Sequence, residues 1–128
     1  MAIIVIVDDD RHVRSSLENL LDSAGFTTRS FATGQALLEV QAWADADCLI
    51  LDVRMRGMSG LELQQQLLMA GNAVPIIFLT AQGDDETRAR AMTDGAYAFF
   101  SKPFDEEELL AAIEAAIRRR GTHDMTSA

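Results

Sequence analysis

Three short apolar runs in this chain stop abruptly on polar residues, and all three stop at the same end. Ile3-Ile4-Val5-Ile6-Val7 meets Asp8-Asp9-Asp10, Leu49-Ile50-Leu51 meets Asp52, and Ile76-Ile77-Phe78-Leu79 meets Thr80. Apolar runs without polar alternation fit strands covered on both faces, and such strands belong to parallel sheets, whose neighbours are joined by crossover helices. The intervening segments supply those helices. Val13, Leu17, Leu20, Leu21 and Ala24 recur at helical spacing before Gly25, a C-terminal stop. Thr33-Gly34 opens a helix carrying Leu37, Leu38 and Val40 that reaches Trp43, and Ser59 with Glu62 has capping-box spacing ahead of Leu63, Leu67 and a stop at Gly71. Segment 26–31 is half-polar, as an edge strand would be, and 96–101 is a fifth strand. Segment 84–94, with Ala89, Ala91 and Met92 as its apolar content, is predicted to be a weakly packed, mobile helix. A last helix begins with carboxylates at 105–108 and closes on Arg118-Arg119-Arg120, matching the helix macrodipole at both ends. Five strand-helix alternations predict a doubly wound, five-stranded parallel sheet of order 2-1-3-4-5 with five helices on two faces.

A chain of 128 residues, 48% hydrophobic and 24% charged, is the size and composition of one domain. We place that domain at 1–120 and expect 121–128, which lacks periodicity, to be a disordered tail or the start of a linker. A formal charge of −9 argues against direct nucleic-acid binding by this segment. The single cysteine, Cys48, sits in an apolar run and reads as a core thiol in a reducing, cytoplasmic setting. Nothing in the sequence reads as a membrane span or a leader.

In the 2-1-3-4-5 order, Asp8, Asp9 and Asp52 converge on the crevice where the winding reverses, with Thr80 and Lys102 at the strand ends beyond. Three carboxylates in one place repel one another and call for a cation. Hard oxygen ligands in that number suit Mg2+, with Mn2+ an alternative. A cation there leaves Asp52 able to act as a nucleophile toward a phosphoryl group, forming an acyl phosphate, with Lys102 and the Thr80 hydroxyl to bind phosphoryl oxygens. Asp10, immediately before the first helix, reads as its N-cap rather than a ligand.

The set Val7-Asp8-Asp9-Asp10, Leu51-Asp52-Val53-Arg54-Met55, Leu79-Thr80-Ala81 and Ser101-Lys102-Pro103-Phe104 resembles the motifs of two-component response-regulator receiver domains, of the CheY-like superfamily and most like the FixJ/NarL class. The resemblance covers residues 3 to 120. It implies a flavodoxin-like fold and a signalling domain in a bacterial phosphorelay rather than an enzyme, although one that catalyses its own aspartyl phosphorylation and dephosphorylation. It implies Asp52 as phospho-acceptor, Asp9 as direct metal ligand, Asp8 acting mostly through water, and a backbone carbonyl ligand from Arg54. It further implies phosphoryl contacts from Thr80, the Ala81 N–H and Lys102, a cis Lys102-Pro103 bond, and Phe99 as an aromatic switch that turns into space vacated when Thr80 is drawn inward. The phosphodonor would be a sensor histidine kinase or phosphotransfer protein. The output would be a changed face of helix four, strand five and helix five, a phosphorylation-dependent homodimer through helix four and strand five, and control of transcription. Arg54, Arg56 and Gln82 adjoin the pocket as tuners of phosphoryl lifetime.

Receivers of this kind usually carry proline where this chain has Arg56, which is expected to leave the loop after Asp52 less rigid. Two enzyme or carrier readings are separable from the same residues. A haloacid-dehalogenase-type phosphatase needs an acid two positions after its nucleophile, where this chain has Arg54, and a flavodoxin-like electron carrier needs a phosphate-binding loop where it has three aspartates. A receiver-like interaction module that is never phosphorylated stays open at this level.

Overall fold

The structure is a computed structural model that describes residues 2–81 and 83–127, with the backbone alone described for Ala42 and 120–127. Five parallel strands, β1 (Ile3–Val7), β2 (Thr27–Phe31), β3 (Cys48–Leu51), β4 (Ile76–Thr80) and β5 (Ala98–Ser101), form one sheet of order β2-β1-β3-β4-β5. The helices are α1 (Arg11–Ser23), α2 (Gly34–Val40), α3 (Gly60–Met69), α4 (Asp85–Thr93) and α5 (Glu106–Ser127). The fold and strand order agree with the sequence reading.

Strand pleating sorts the apolar runs into two cores. Ile4, Ile6, Cys48, Ile50, Ile77 and Leu79 face α1 and α5 through Leu17, Leu21, Leu109 and Ile113. Val5, Val7, Leu49, Leu51, Ile76, Phe78 and Phe99 face the opposite way, toward Leu37, Leu63, Leu67 and Ala91 of α2, α3 and α4. The central strands are apolar throughout because both of their faces are covered.

Four boundaries differ from the sequence expectation, each for a local reason. Strands two and five begin later than 26 and 96 because Phe26 and Ala96 belong to the preceding helix caps. Gly25 (φ +93°) and Gly95 (φ +102°) turn the chain left-handed, and the next N–H donates back to Leu21 and Ala91 carbonyls at 3.0 Å in both cases. The second helix ends at Val40 rather than at Trp43, because Gln41 adopts φ 53° and a short 3-10 turn, Ala42–Asp45, follows. The last helix does not close at Arg120: its backbone stays helical to Ser127, through the segment expected to be a tail. Glycine inside a helix costs about 1 kcal/mol but keeps its hydrogen bond, so Gly121 alone need not end it.

The capping box at α3 is formed, Ser59 Oγ accepting from Glu62 N–H and the Glu62 carboxylate accepting from Ser59 N–H. Asp10 caps α1, accepting from the N–H groups of His12 and Val13. Helix α4 buries Ala91 alone. It is tied to α3 near its C-terminal end, where the Gln64 amide donates to the Ala91 carbonyl (2.9 Å) and the Gln65 amide to Asp94 (2.6 Å).

Candidate functional site

The register of the sheet assembles the site. Val7 pairs with Leu51 across β1 and β3, and Asp52 N–H donates to the Val7 carbonyl, which sets Asp8 and Asp52 side by side where their strands end. On the other side Thr80 pairs with Ser101, and Lys102 N–H donates to the Thr80 carbonyl at 2.7 Å, so Thr80 and Lys102 leave adjacent strand ends together. Ligand oxygens of Asp8, Asp9 and Asp52 all lie within 4.8 Å of one another.

Each member is held differently. Asp8 is buried; its carboxylate accepts from Asp10 N–H (2.9 Å) and from Lys102 Nζ (3.3 Å), and its carbonyl accepts from Arg14 Nη1 (2.7 Å). Asp9 is exposed and accepts from the Arg56 main-chain N–H at 3.2 Å. Asp52 is 8% exposed, and its Oδ1 is buried with no hydrogen-bond partner. Burial pushes the Asp52 carboxyl above the usual carboxylate range and the Asp8 charge adds to this, while Lys102, the Thr80 hydroxyl and the Arg54 N–H pull the other way. Backbone N–H groups of Val13 and His12 hold the Asp10 carboxyl low, as suits an N-cap. Burial drives the Cys48 thiol up to about 12, which makes it an inert core group.

An orphaned buried carboxylate oxygen inside a cluster of three acids fits a hard divalent cation, which would satisfy the oxygen and offset the repulsion together. Lys102 lies on the same cluster through Asp8, and Thr80 is fully enclosed beside it. The Lys102-Pro103 bond is cis. Ala81 and Arg54 are exposed and, with Gly83, Asp84 and Ser101, line an open hollow of about 320 Å³ at the mouth of the site. Arg56 lines a second groove with Asp9, Met55, Ser59 and Leu61. Gln82 lies outside the described residues.

Phe99 is 6% exposed, with its ring packed on Phe78 at a centroid distance of 6.0 Å, so the aromatic side chain already occupies an interior position. Gly83 makes room for it: a Cβ there would stand 2.6 Å from Phe99 Cε1 and 2.8 Å from Ser101 Oγ. A second close approach lies under Asp52 itself, where a Cβ on Gly60 would collide with the Asp52 carbonyl oxygen while Gly60 N–H donates to the Val53 carbonyl. Sequence reasoning missed the parts played by Gly60, Gly83 and Arg14. Glycine directly after an N-cap, where a better helix former is affordable, was the available signal for Gly60; nothing local distinguished Arg14.

Comparison with known proteins agrees with this arrangement. The family model described as response regulator receiver domain matches residues 4–114. The response regulator protein TodT of Pseudomonas putida is 44% identical over 117 residues, which cover 91% of this chain and 52% of TodT. The transcriptional regulatory protein FixJ of Bradyrhizobium diazoefficiens is 40% identical over 116 residues, covering 91% and 57%. The chain thus spans about half the length of the curated relatives it matches. Among solved structures, the response regulator StyR superposes with a TM-score of 0.87 at 43% identity, covering 98% of this chain and 66% of StyR. With four strand ends contributing to one acidic pocket and a family match across nearly the whole described fold, the chain belongs to the response regulator receiver domains of two-component signalling.

Proposed function

We propose that this receiver accepts a phosphoryl group on Asp52 from a phosphohistidine of a sensor kinase or phosphotransfer protein. The observation that carries the reading is the Asp52 carboxylate: buried, raised in pKa, with Oδ1 unpartnered and two other acids beside it. Asp8, Asp9, Asp52 and the Arg54 carbonyl would hold Mg2+, or Mn2+ in its place. When bound, the cation supplies positive charge against the three carboxylates and the incoming phosphoryl oxygens. An Asp52 oxygen forms the new P–O bond, the donor P–N bond breaks, and the imidazole leaves with a proton. Lys102 binds a phosphoryl oxygen as a point charge, and Thr80 and the Ala81 N–H donate to the others.

Phe99 and the face of α4, β5 and α5 carry the output. The Phe99 ring already lies inward against Phe78, where burying the phenyl group is worth about 1.5–3 kcal/mol, so the switch would act by holding that inward position when Thr80 is drawn toward Asp52 rather than by turning an exposed ring in. Phosphorylation then favours a homodimer through α4 and β5 and control of transcription through a DNA-binding domain or partner, with Arg54, Arg56 and Gln82 setting phosphoryl lifetime. A reducing cytoplasm suits the free, buried Cys48, and no helix among the described residues is long and apolar enough to cross a membrane.

The test is incubation with Mg2+ and a small acyl-phosphate donor, followed by intact mass measurement. The wild type is expected to gain one phosphate and D52N none. A wild type that stays unmodified at every donor concentration would sink the reading, and an adduct that survives D52N would move the acceptor elsewhere.

A further inference from the structure

Arg56 reaches the acidic cluster with its main chain. Its N–H donates to Asp9 Oδ2 across 47 positions of sequence, and this is the one hydrogen bond found on that carboxylate among the described residues. The other two acids are held from several sides, Asp8 by the Asp10 N–H and Lys102, Asp52 by burial, Thr80 and the Arg54 N–H. Asp9 is exposed, and like charges on Asp8 and Asp52 push it toward water. One neutral donor opposes that push.

We infer that the Arg56 main-chain N–H positions Asp9 within the cluster and thereby sets the affinity for a hard divalent cation through the backbone, with the guanidinium taking no part in the positioning. The inference rests on the cation site proposed above. A carboxylate with one oxygen tied to an amide keeps lone pairs for a cation and has less rotational freedom to lose on ligation. The same bond joins loop 53–59 to the end of β1, so order in that loop and occupancy at Asp9 are linked.

Proline is the one residue type with no main-chain donor, so R56P and R56A separate the amide from the side chain: both lack the charge, and one lacks the bond, while the stiffening that proline gives the loop works against the expected loss. Binding is read on the unphosphorylated chain, by the electron paramagnetic resonance signal of free Mn2+ and by Mg2+ competition against it. R56A is expected to bind at least as tightly as wild type, since it removes a nearby positive charge. R56P is expected to bind about two- to tenfold more weakly than R56A, the range that one hydrogen bond supplies. Equal Kd values for the two variants overturn the inference while leaving the cation site standing, and so does an R56P that binds more tightly than R56A. A wild type that takes up no Mn2+ overturns the site itself and the inference with it. Should R56P fail to fold by circular dichroism, amide exchange on the wild type decides. The Arg56 N–H is expected to exchange about two- to tenfold below its intrinsic rate and to return to that rate in D9A; an unprotected Arg56 amide in the wild type overturns the inference.

Discussion

Burial and the Asp8 carboxylate both oppose charge on Asp52, and its Oδ1 has nothing to accept from. The folded chain therefore binds this proton more tightly than the unfolded chain does. Between the ordinary carboxylate value and the raised one the folded state carries the extra proton, and stability falls as pH rises across that window. Without divalent cation, D52N is expected to lose this slope and to exceed the wild type at neutral pH by about 1–3 kcal/mol, the usual worth of an unsatisfied buried group. Urea denaturation in chelator from pH 4 upward checks it, and a wild type more stable than D52N at pH 7 would contradict it. Cation near 100 times its Kd should add about 2.7 kcal/mol to the wild type and so remove or reverse most of that difference. Asp52 and Thr80 were legible in the sequence because each ends an apolar run and so marks a strand end, and Lys102 because it follows the fifth predicted strand. The contact of Gly60 with the Asp52 carbonyl and the seat that Gly83 leaves for Phe99 were not, because both depend on how a loop folds back over a strand.

Helix α4 is the element whose sequence says least about its partners. Its weak apolar content was readable, and its single buried residue, Ala91, agrees with it. Its attachment through Gln64 and Gln65 was not readable, because amides on an amphipathic helix look like ordinary surface residues until a second helix is set against them. Gln64 is 2% exposed and leaves its Oε1 unpartnered, while the Ala91 carbonyl that it contacts also accepts from Ala96 N–H. Q64L thus removes the link without stranding that carbonyl. It is expected to change global stability by less than about 1 kcal/mol while amide exchange over α4 quickens by about two- to tenfold. Exchange in α4 that stays at the wild-type rate in Q64L would show that the helix is held by other contacts. The capping box at Ser59 was plain from spacing, whereas the strand starts at 27 and 98 were misplaced because the glycine caps of α1 and α4 take up one or two residues more than periodicity suggests.

At the scale of the molecule, a formal charge of −9 opposes self-association, and a phosphoryl group adds roughly −1.5 to −2. Any dimer formed through α4 and β5 must outweigh that repulsion. With Mg2+ and the phosphoryl mimic beryllofluoride the mass by light scattering is expected to double, and the dimer to tighten as salt is raised from about 50 to 300 mM, because screening shortens the reach of like charges. A mass that stays monomeric under both conditions would count against a dimeric output. The two glutamine contacts of α4 bear on how such a face can change. They hold the helix near its C-terminal end, while its first residue, about 9–13 Å away by helical rise, follows the loop that leaves Thr80. A rod pinned at one end moves as a pivot, so a displacement at Thr80 that reached the helix would become a tilt largest at Asp85 and Glu86 and smallest toward Ala91. The surface that a partner could sense is therefore the first turn of α4, where acidic side chains would sweep the widest arc.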